Sequence, residues 1–216
     1  MNGSEMQESL IQSLISLLFD LSPLFFVGIF LLIVVLMYGL RNEVKRTKLI
    51  VTIASLLLFY YLFLMLYNIV GIPRISEIMR VKDFNENIFN PQIYLIPFGE
   101  GISLSFIFNI VLFIPIGFLF AVISPIFRNV KYLTFLVFSM SLLIEISQLF
   151  TLYRATDIND VITNSLGGFL GINIYLLLER FSWIQDITPR LSKDNKILSF
   201  LPIWIFILAF INVFIT

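Results

Sequence analysis

Acidic and amide side chains near the ends of apolar, helix-length segments are the residues best suited to chemistry in this chain. Glu145 lies inside the apolar run 131–150. A carboxylate at membrane depth is costly, about 2.5–3.5 kcal/mol for Asp on insertion scales, and it usually faces a protein interior or a water-filled cavity. The segment that follows adds five polar residues: Arg154, Asp157, Asn159, Asp160 and Asn164. This constellation predicts a functional site.

The spacing of these residues groups them on helix faces. Glu145 and Gln148 are three residues apart and share one face. Asp157, Asp160 and Asn164 follow an i, i+3, i+7 pattern and share a face of the next helix. The two helices are therefore expected to present polar faces at the same end of the protein.

Depth in the membrane relates three of the polar residues. Asn109, Glu145 and Asn164 each lie about five or six residues inside an apolar segment, roughly 7–8 Å at 1.5 Å per residue. All three are counted from the same side. The sequence predicts a common depth and leaves open whether the side chains touch.

Structural explanations compete with the functional one at several positions. Asp157 could cap a helix, with Asp160 in the first turn favoured by the helix dipole. Asn109 and Asn164 could form hydrogen bonds between helices. Gly168 continues the polar stripe and is expected to let a neighbouring helix approach closely.

Two further residues carry structural expectations of this kind. Arg154 either anchors at the headgroup level or pairs with Glu145 or Asp160. Gly171 is expected to serve helix packing, as Gly168 does.

Composition indicates an integral membrane protein. The 216 residues are 59% hydrophobic and 13% charged, against about 25% charged in soluble domains. Mean hydropathy is +0.97. Runs of about 20 apolar residues cross a hydrocarbon core, so the sequence predicts an all-α, polytopic helix bundle. The six predicted spans are 17–40, 49–70, 103–123, 132–150, 158–178 and 197–215.

The chain is predicted to form a single domain, 1–216, without a cleaved signal peptide. Its first nine residues contain Glu5 and Glu8 and no Lys or Arg. The segment 74–82 has apolar residues at helical spacing opposite charges, which predicts a short interfacial helix.

Residue counts exclude several kinds of site. The chain contains no Cys and no His, which removes disulfides, thiolate ligands and imidazole bases. The net charge of zero gives no support for nucleic-acid binding. We expect no cofactor. Asp157 and Asp160 could hold Mg²⁺ through oxygen ligands, but two acids form a thin metal motif.

Lys and Arg predict the orientation. Ten lie in the loops after the first, third and fifth spans, and four lie on the other side. The more basic side faces the cytoplasm by the positive-inside rule. Both termini and the segment 154–160 are then expected outside the cell membrane.

Four sequence pieces resemble the VanZ-like family of bacterial membrane proteins. They are residues 95–98, 109–118, 141–148 and 154–171. Their order and spacing agree with the family over about residues 90–180, whereas Tyr94 stands where the family often has Asn. The resemblance implies a cell-envelope protein associated with resistance to teicoplanin, a lipid-tailed glycopeptide.

Three functions fit these observations, and the sequence does not fix an oligomeric state. In the favoured one, an outward-facing site binds or modifies a lipid-linked cell-wall component, a membrane lipid or the lipoglycopeptide. In the second, an intramembrane enzyme uses Glu145 and Asp160 as catalytic residues. The third is a transporter, which clustering of polar residues at one side disfavours. The candidate ligand-binding residues are Asn109, Gln148, Arg154, Asp157, Asn159 and Asn164.

Overall fold

Helices dominate the part of the chain that the structure, a computed structural model, describes. It describes residues 12, 15, 18–19, 21–84, 87, 89, 92–99, 101, 103–151, 154–187 and 196–216. The predicted all-α bundle is confirmed, with one small two-stranded sheet added to it.

The helices follow one another through short connections. In chain order the elements are α1 (Pro23–Gly39), α2 (Lys45–Leu64), a π-helix (Met65–Val70), α3 (Ile75–Asp83), β1 (Gln92–Tyr94), α4 (Leu104–Ile123), a 3-10 helix (Pro125–Arg128), α5 (Val130–Gln148), β2 (Ala155–Asp157), α6 (Ile158–Leu178), α7 (Ser182–Ile187), α8 (Lys196–Ser199) and α9 (Leu201–Ile215).

Within the described residues, four helical segments are long and apolar enough to cross a membrane. They are the stretch Lys45–Asp83, which contains α2, the π-helix and α3, and the helices α4, α5 and α6. The first and sixth predicted spans correspond to the shorter apolar helices α1 and α9, of 17 and 15 residues. Part of the predicted start of the first span, at 17–22, lies outside the described residues. Six spans therefore stay a prediction.

Glycines let α6 pack closely against two neighbours, the backbone of α4 and a side chain of α5. A Cβ added to Gly171 would lie 2.2 Å from the carbonyl oxygen of Ile114 on α4. A Cβ on Gly117 of α4 would lie 2.2 Å from the carbonyl oxygen of Gly168. On its other side, a Cβ on Gly168 would meet Val137 of α5 at 2.7 Å. The packing role predicted for Gly168 and Gly171 is confirmed.

A parallel pair of three-residue strands joins the starts of α4 and α6. Gln92 of β1 lies opposite Ala155 of β2, and Tyr94 lies opposite Asp157. β2 leads directly into α6, whereas β1 ends ten residues before α4 begins, so the pairing brings together the segments that lead into the two helices. Neither strand was predicted from the sequence, because three residues carry no usable periodicity.

The helices α1, α2 and α9 pack against one another. Asn212 of α9 donates from Nδ2 to the carbonyl oxygen of Leu24 on α1, at 2.7 Å. Phe25 of α1 stacks on Phe59 of α2, with ring centroids 5.7 Å apart. The first, second and last spans thus form one packed group.

The predicted short helix at 74–82 is present as α3. Arg74 precedes it, forms an ion pair with Glu77 in its first turn, and lies over the Tyr67 ring at 4.9 Å from its centroid. The helix is thereby held against the π-helix. Its location at a membrane surface stays a prediction.

Candidate functional site

Glu145 lies one turn before the end of α5 and is 2% exposed. Its Oε2 accepts a hydrogen bond from the backbone N–H of Asp157, at 2.9 Å. Among the described residues, Oε1 of the same carboxylate has no hydrogen-bond partner. A buried carboxylate thus uses one oxygen to fix the start of α6 and keeps the other for a further donor.

The start of α6 is fastened to α5 in two more ways. Thr156 donates from Oγ1 to the carbonyl oxygen of Glu145, at 3.0 Å. Asp157 caps α6, because its Oδ1 accepts from the N–H of Asn159 at 2.8 Å. The capping role considered for Asp157 is confirmed, and its side chain remains half-buried at the edge of the cluster.

Asp160 connects α6 to α4. Its Oδ1 accepts a hydrogen bond from Nδ2 of Asn109, at 2.7 Å. Both side chains are half-buried. Asn109 was predicted to lie at the same depth as Glu145 and Asn164. In the structure it contacts Asp160, in the first turn of α6.

Asn164 lies one turn deeper in α6 and faces α5. Its Nδ2 donates to Oγ of Ser141, at 2.9 Å, and both residues are buried. The Oδ1 of Asn164 is a buried acceptor without a partner in the described part of the chain. Ser141 was missed as a site residue, although it precedes Glu145 by four residues and so shares its helix face.

Asn159 holds the loop that leads into α4. Its Oδ1 accepts from the backbone N–H of Phe98, at 2.9 Å, and the side chain is buried. Phe98 has a φ of 57°, which is uncommon for a residue other than glycine. Asn159 was predicted to bind ligand. In the structure, its side chain stabilises the turn at Phe98, beside the cluster.

Replacing Asn159 with alanine is expected to lower the melting temperature. The change leaves the Phe98 N–H without its acceptor. A hydrogen bond of this kind contributes about 0.5–1.5 kcal/mol, and each kcal/mol shifts the melting temperature of a chain of this size by about 2–4 °C. Asn173→Ala is the control, because Asn173 donates to the Phe169 carbonyl within its own helix. Equal melting temperatures for the two variants would show that the Phe98 turn does not depend on Asn159.

Gln148 and Arg154 both reach the end of the π-helix. Gln148 donates from Nε2 to the carbonyl oxygen of Val70, at 2.9 Å, while its Oε1 is a buried acceptor without a partner among the described residues. Arg154 donates from Nη2 to the carbonyl oxygen of Ile69, at 2.6 Å. Of the two roles considered for Arg154, the ion pair with Glu145 or Asp160 is not formed among the described residues, and one guanidinium N–H binds a backbone carbonyl. Anchoring at the headgroup level stays a prediction.

The residues of the cluster range from exposed to buried, and we call the exposed and half-buried ones the rim. Arg154 is exposed, whereas Asn109, Asp157 and Asp160 are half-buried. The buried members are Glu145, Gln148, Asn159 and Asn164. The predicted residues do meet at one end of the helices, although Asn109, Glu145 and Asn164 each bond to a different partner. Across the described residues, no group of three His, Cys, Asp or Glu is placed to hold a metal ion.

Comparison with known proteins places this chain in a family of membrane proteins. The family model VanZ/LLP1 matches residues 25–179, so the chain belongs to this family. Protein VanZ of Enterococcus faecium is 36% identical over 102 residues, which cover 46% of this chain and 59% of that protein. No solved structure matches. The family match begins in α1, well before the stretch 90–180 that carried the resemblance.

Proposed function

We propose that this chain is a bacterial cell-envelope protein linked to teicoplanin resistance. Its polar cluster would bind or modify a lipid-linked envelope component or the lipoglycopeptide itself. The observation that carries the proposal is the buried Glu145 carboxylate lying behind a half-buried and exposed polar rim. Family membership and the similarity to Protein VanZ support the same reading.

Loop charges support an outward-facing cluster. Glu145, at the end of α5, bonds to Asp157 at the start of α6, so the cluster lies where these two helices connect. That end carries four Lys or Arg, against ten on the other, so the positive-inside rule puts it outside, together with both termini. A target on the cell surface could then reach the rim without crossing the membrane.

The rim offers complementary chemistry to a charged headgroup. Arg154 uses one N–H on the Ile69 carbonyl, and a guanidinium has four more donors for a phosphate or carboxylate. Asp157, Asp160 and Asn109, which bonds to Asp160, are half-buried and can hydrogen-bond sugar or peptide groups. A ligand that carries both an anion and several N–H or O–H donors fits these groups.

An intramembrane enzyme is the alternative function. Glu145 would then act as a general base on a bound hydroxyl or water, and Asp160 would be the second catalytic residue. Two buried amide oxygens without partners in the described chain, on Gln148 and Asn164, add acceptors for such a donor. Chemically altered lipid in membranes that contain the wild-type chain, and its absence with Glu145→Gln, would favour the enzyme over the binding protein.

The resistance link predicts a selective phenotype. A host that lacks its own copy and expresses this chain should tolerate more teicoplanin than the same host with an empty vector. The rise for vancomycin should be smaller, because a site beside the membrane acts on a lipid-tailed drug. The measurement is the inhibitory concentration of each drug, at matched membrane abundance. Thresholds equal to the empty vector for both drugs would overturn the link to resistance.

A further inference from the structure

A groove opens between α1 and α2 at the end of the helices opposite Glu145. Its volume is about 310 Å³. Four apolar residues on one face of α1 line it: Ile33, Leu36, Met37 and Leu40. Two cationic residues, Arg41 and Lys48, line its mouth. From Ile33 to Leu40 the apolar wall runs roughly 10 Å along the helix, at 1.5 Å per residue.

The two cations at the mouth are held in place. Lys48 donates from Nζ to the carbonyl oxygen of Arg41, at 2.8 Å. The Arg41 guanidinium lies over the Tyr38 ring, 4.8 Å from its centroid. An ammonium has three N–H donors and a guanidinium has five. Both groups can therefore bind a further anion without leaving these positions.

The segment that surrounds the mouth is strongly basic. Residues 41–48 contain four Lys or Arg and one acid, Glu43. The first turn of α2 contains no acidic residue. Basic clusters beside a membrane helix attract anionic lipid headgroups, and the apolar wall directly below continues in the direction of an acyl chain.

We propose that this groove binds a phospholipid with an anionic headgroup. One acyl chain would lie along the apolar face of α1, and Arg41 and Lys48 would hold the phosphate. Charge complementarity selects this occupant, because a zwitterionic headgroup would bring its own cation against the two at the mouth. The site is separate from the polar cluster, so it stands whether or not that cluster functions as proposed.

Native mass spectrometry of the full chain tests this proposal. The protein in detergent would be offered equal amounts of phosphatidylglycerol and phosphatidylcholine with the same acyl chains. Each Lys or Arg near an anionic surface favours binding about fivefold, so we expect retention of phosphatidylglycerol to exceed that of phosphatidylcholine by at least about tenfold. Equal retention of the two lipids by the wild type would overturn the proposal.

Variants then locate the preference. Arg41→Gln combined with Lys48→Gln should reduce the preference to under about twofold, since both phosphate-binding cations are gone. Arg180→Gln is the control, because Arg180 is exposed just past the end of α6 and lies outside the groove lining. If the double variant keeps the preference of Arg180→Gln, the groove is not the site. Should it fail to fold, the single variant Lys48→Gln must lower the preference below that of Arg180→Gln, and an unchanged preference overturns the proposal.

Discussion

Gly171→Ala is expected to remove most of the folded protein from the membrane. Its new methyl group would lie 2.2 Å from the Ile114 carbonyl oxygen, which belongs to the backbone of α4 and cannot rotate away. The two helices would have to separate, and overpacking of this kind costs about 1–3 kcal/mol, occasionally more. Gly167→Ala should act similarly, because its Cβ would lie 2.3 Å from the Ile110 carbonyl oxygen. Membrane abundance and the temperature of thermal aggregation measure the loss.

Ser165→Ala on the same helix provides the control for these glycine variants. Ser165 is half-buried, and its hydroxyl donates to the Val161 carbonyl one turn earlier in α6. Its abundance and stability should match the wild type. Wild-type behaviour of Gly171→Ala would mean that α4 and α6 are not in backbone contact.

Glu145→Ala and Glu145→Gln are expected to separate structure from function. Alanine removes the acceptor of the Asp157 N–H, and an unpaired buried donor costs about 1–3 kcal/mol. Glutamine keeps a carbonyl oxygen of similar reach at that place, loses the charge and replaces the second acceptor oxygen with an NH2 donor. We therefore expect low abundance for Glu145→Ala, near-normal abundance for Glu145→Gln, and loss of protection against teicoplanin in both.

The control for the change of charge is Asp83→Asn. Asp83 is exposed at the end of α3, in the loop between α2 and α4, on the same predicted side of the membrane as the cluster. This variant should keep both wild-type abundance and wild-type protection. Low abundance of Glu145→Gln would instead assign Glu145 to folding and leave its functional role without support.

Local sequence signals were sufficient for the helices and their packing faces. Apolar run length indicated where the longer helices lie, and the short helix α3 followed from its helical spacing, whereas α7 was not predicted. The stripe through Gly168 and Gly171 predicted close packing, because a missing side chain on one face has few other uses in a membrane helix. The capping role of Asp157 could also be predicted, since its side chain accepts a hydrogen bond from a backbone N–H only two residues away.

Contacts between distant segments could not be predicted in the same way. The pairing of β1 with β2 joins residues about sixty positions apart, and neither strand is long enough to show alternation. Gln148 and Arg154 both bind backbone carbonyls of the π-helix. Every residue has a backbone carbonyl, so the types of side chain do not indicate which carbonyl will accept a hydrogen bond. For that reason the sequence offered headgroup anchoring or a carboxylate partner for Arg154, and did not indicate the Ile69 carbonyl that the structure shows.

The teicoplanin threshold of a host carrying Glu145→Gln tests the central claim most directly. The claim is that the cluster around this buried carboxylate is a functional site as well as a fastening between α5 and α6. At membrane abundance equal to the wild type, we predict a threshold close to that of the empty vector, with Asp83→Asn still at the wild-type value. Protection by Glu145→Gln equal to that by a protective wild-type chain would contradict the claim and leave the cluster a structural network.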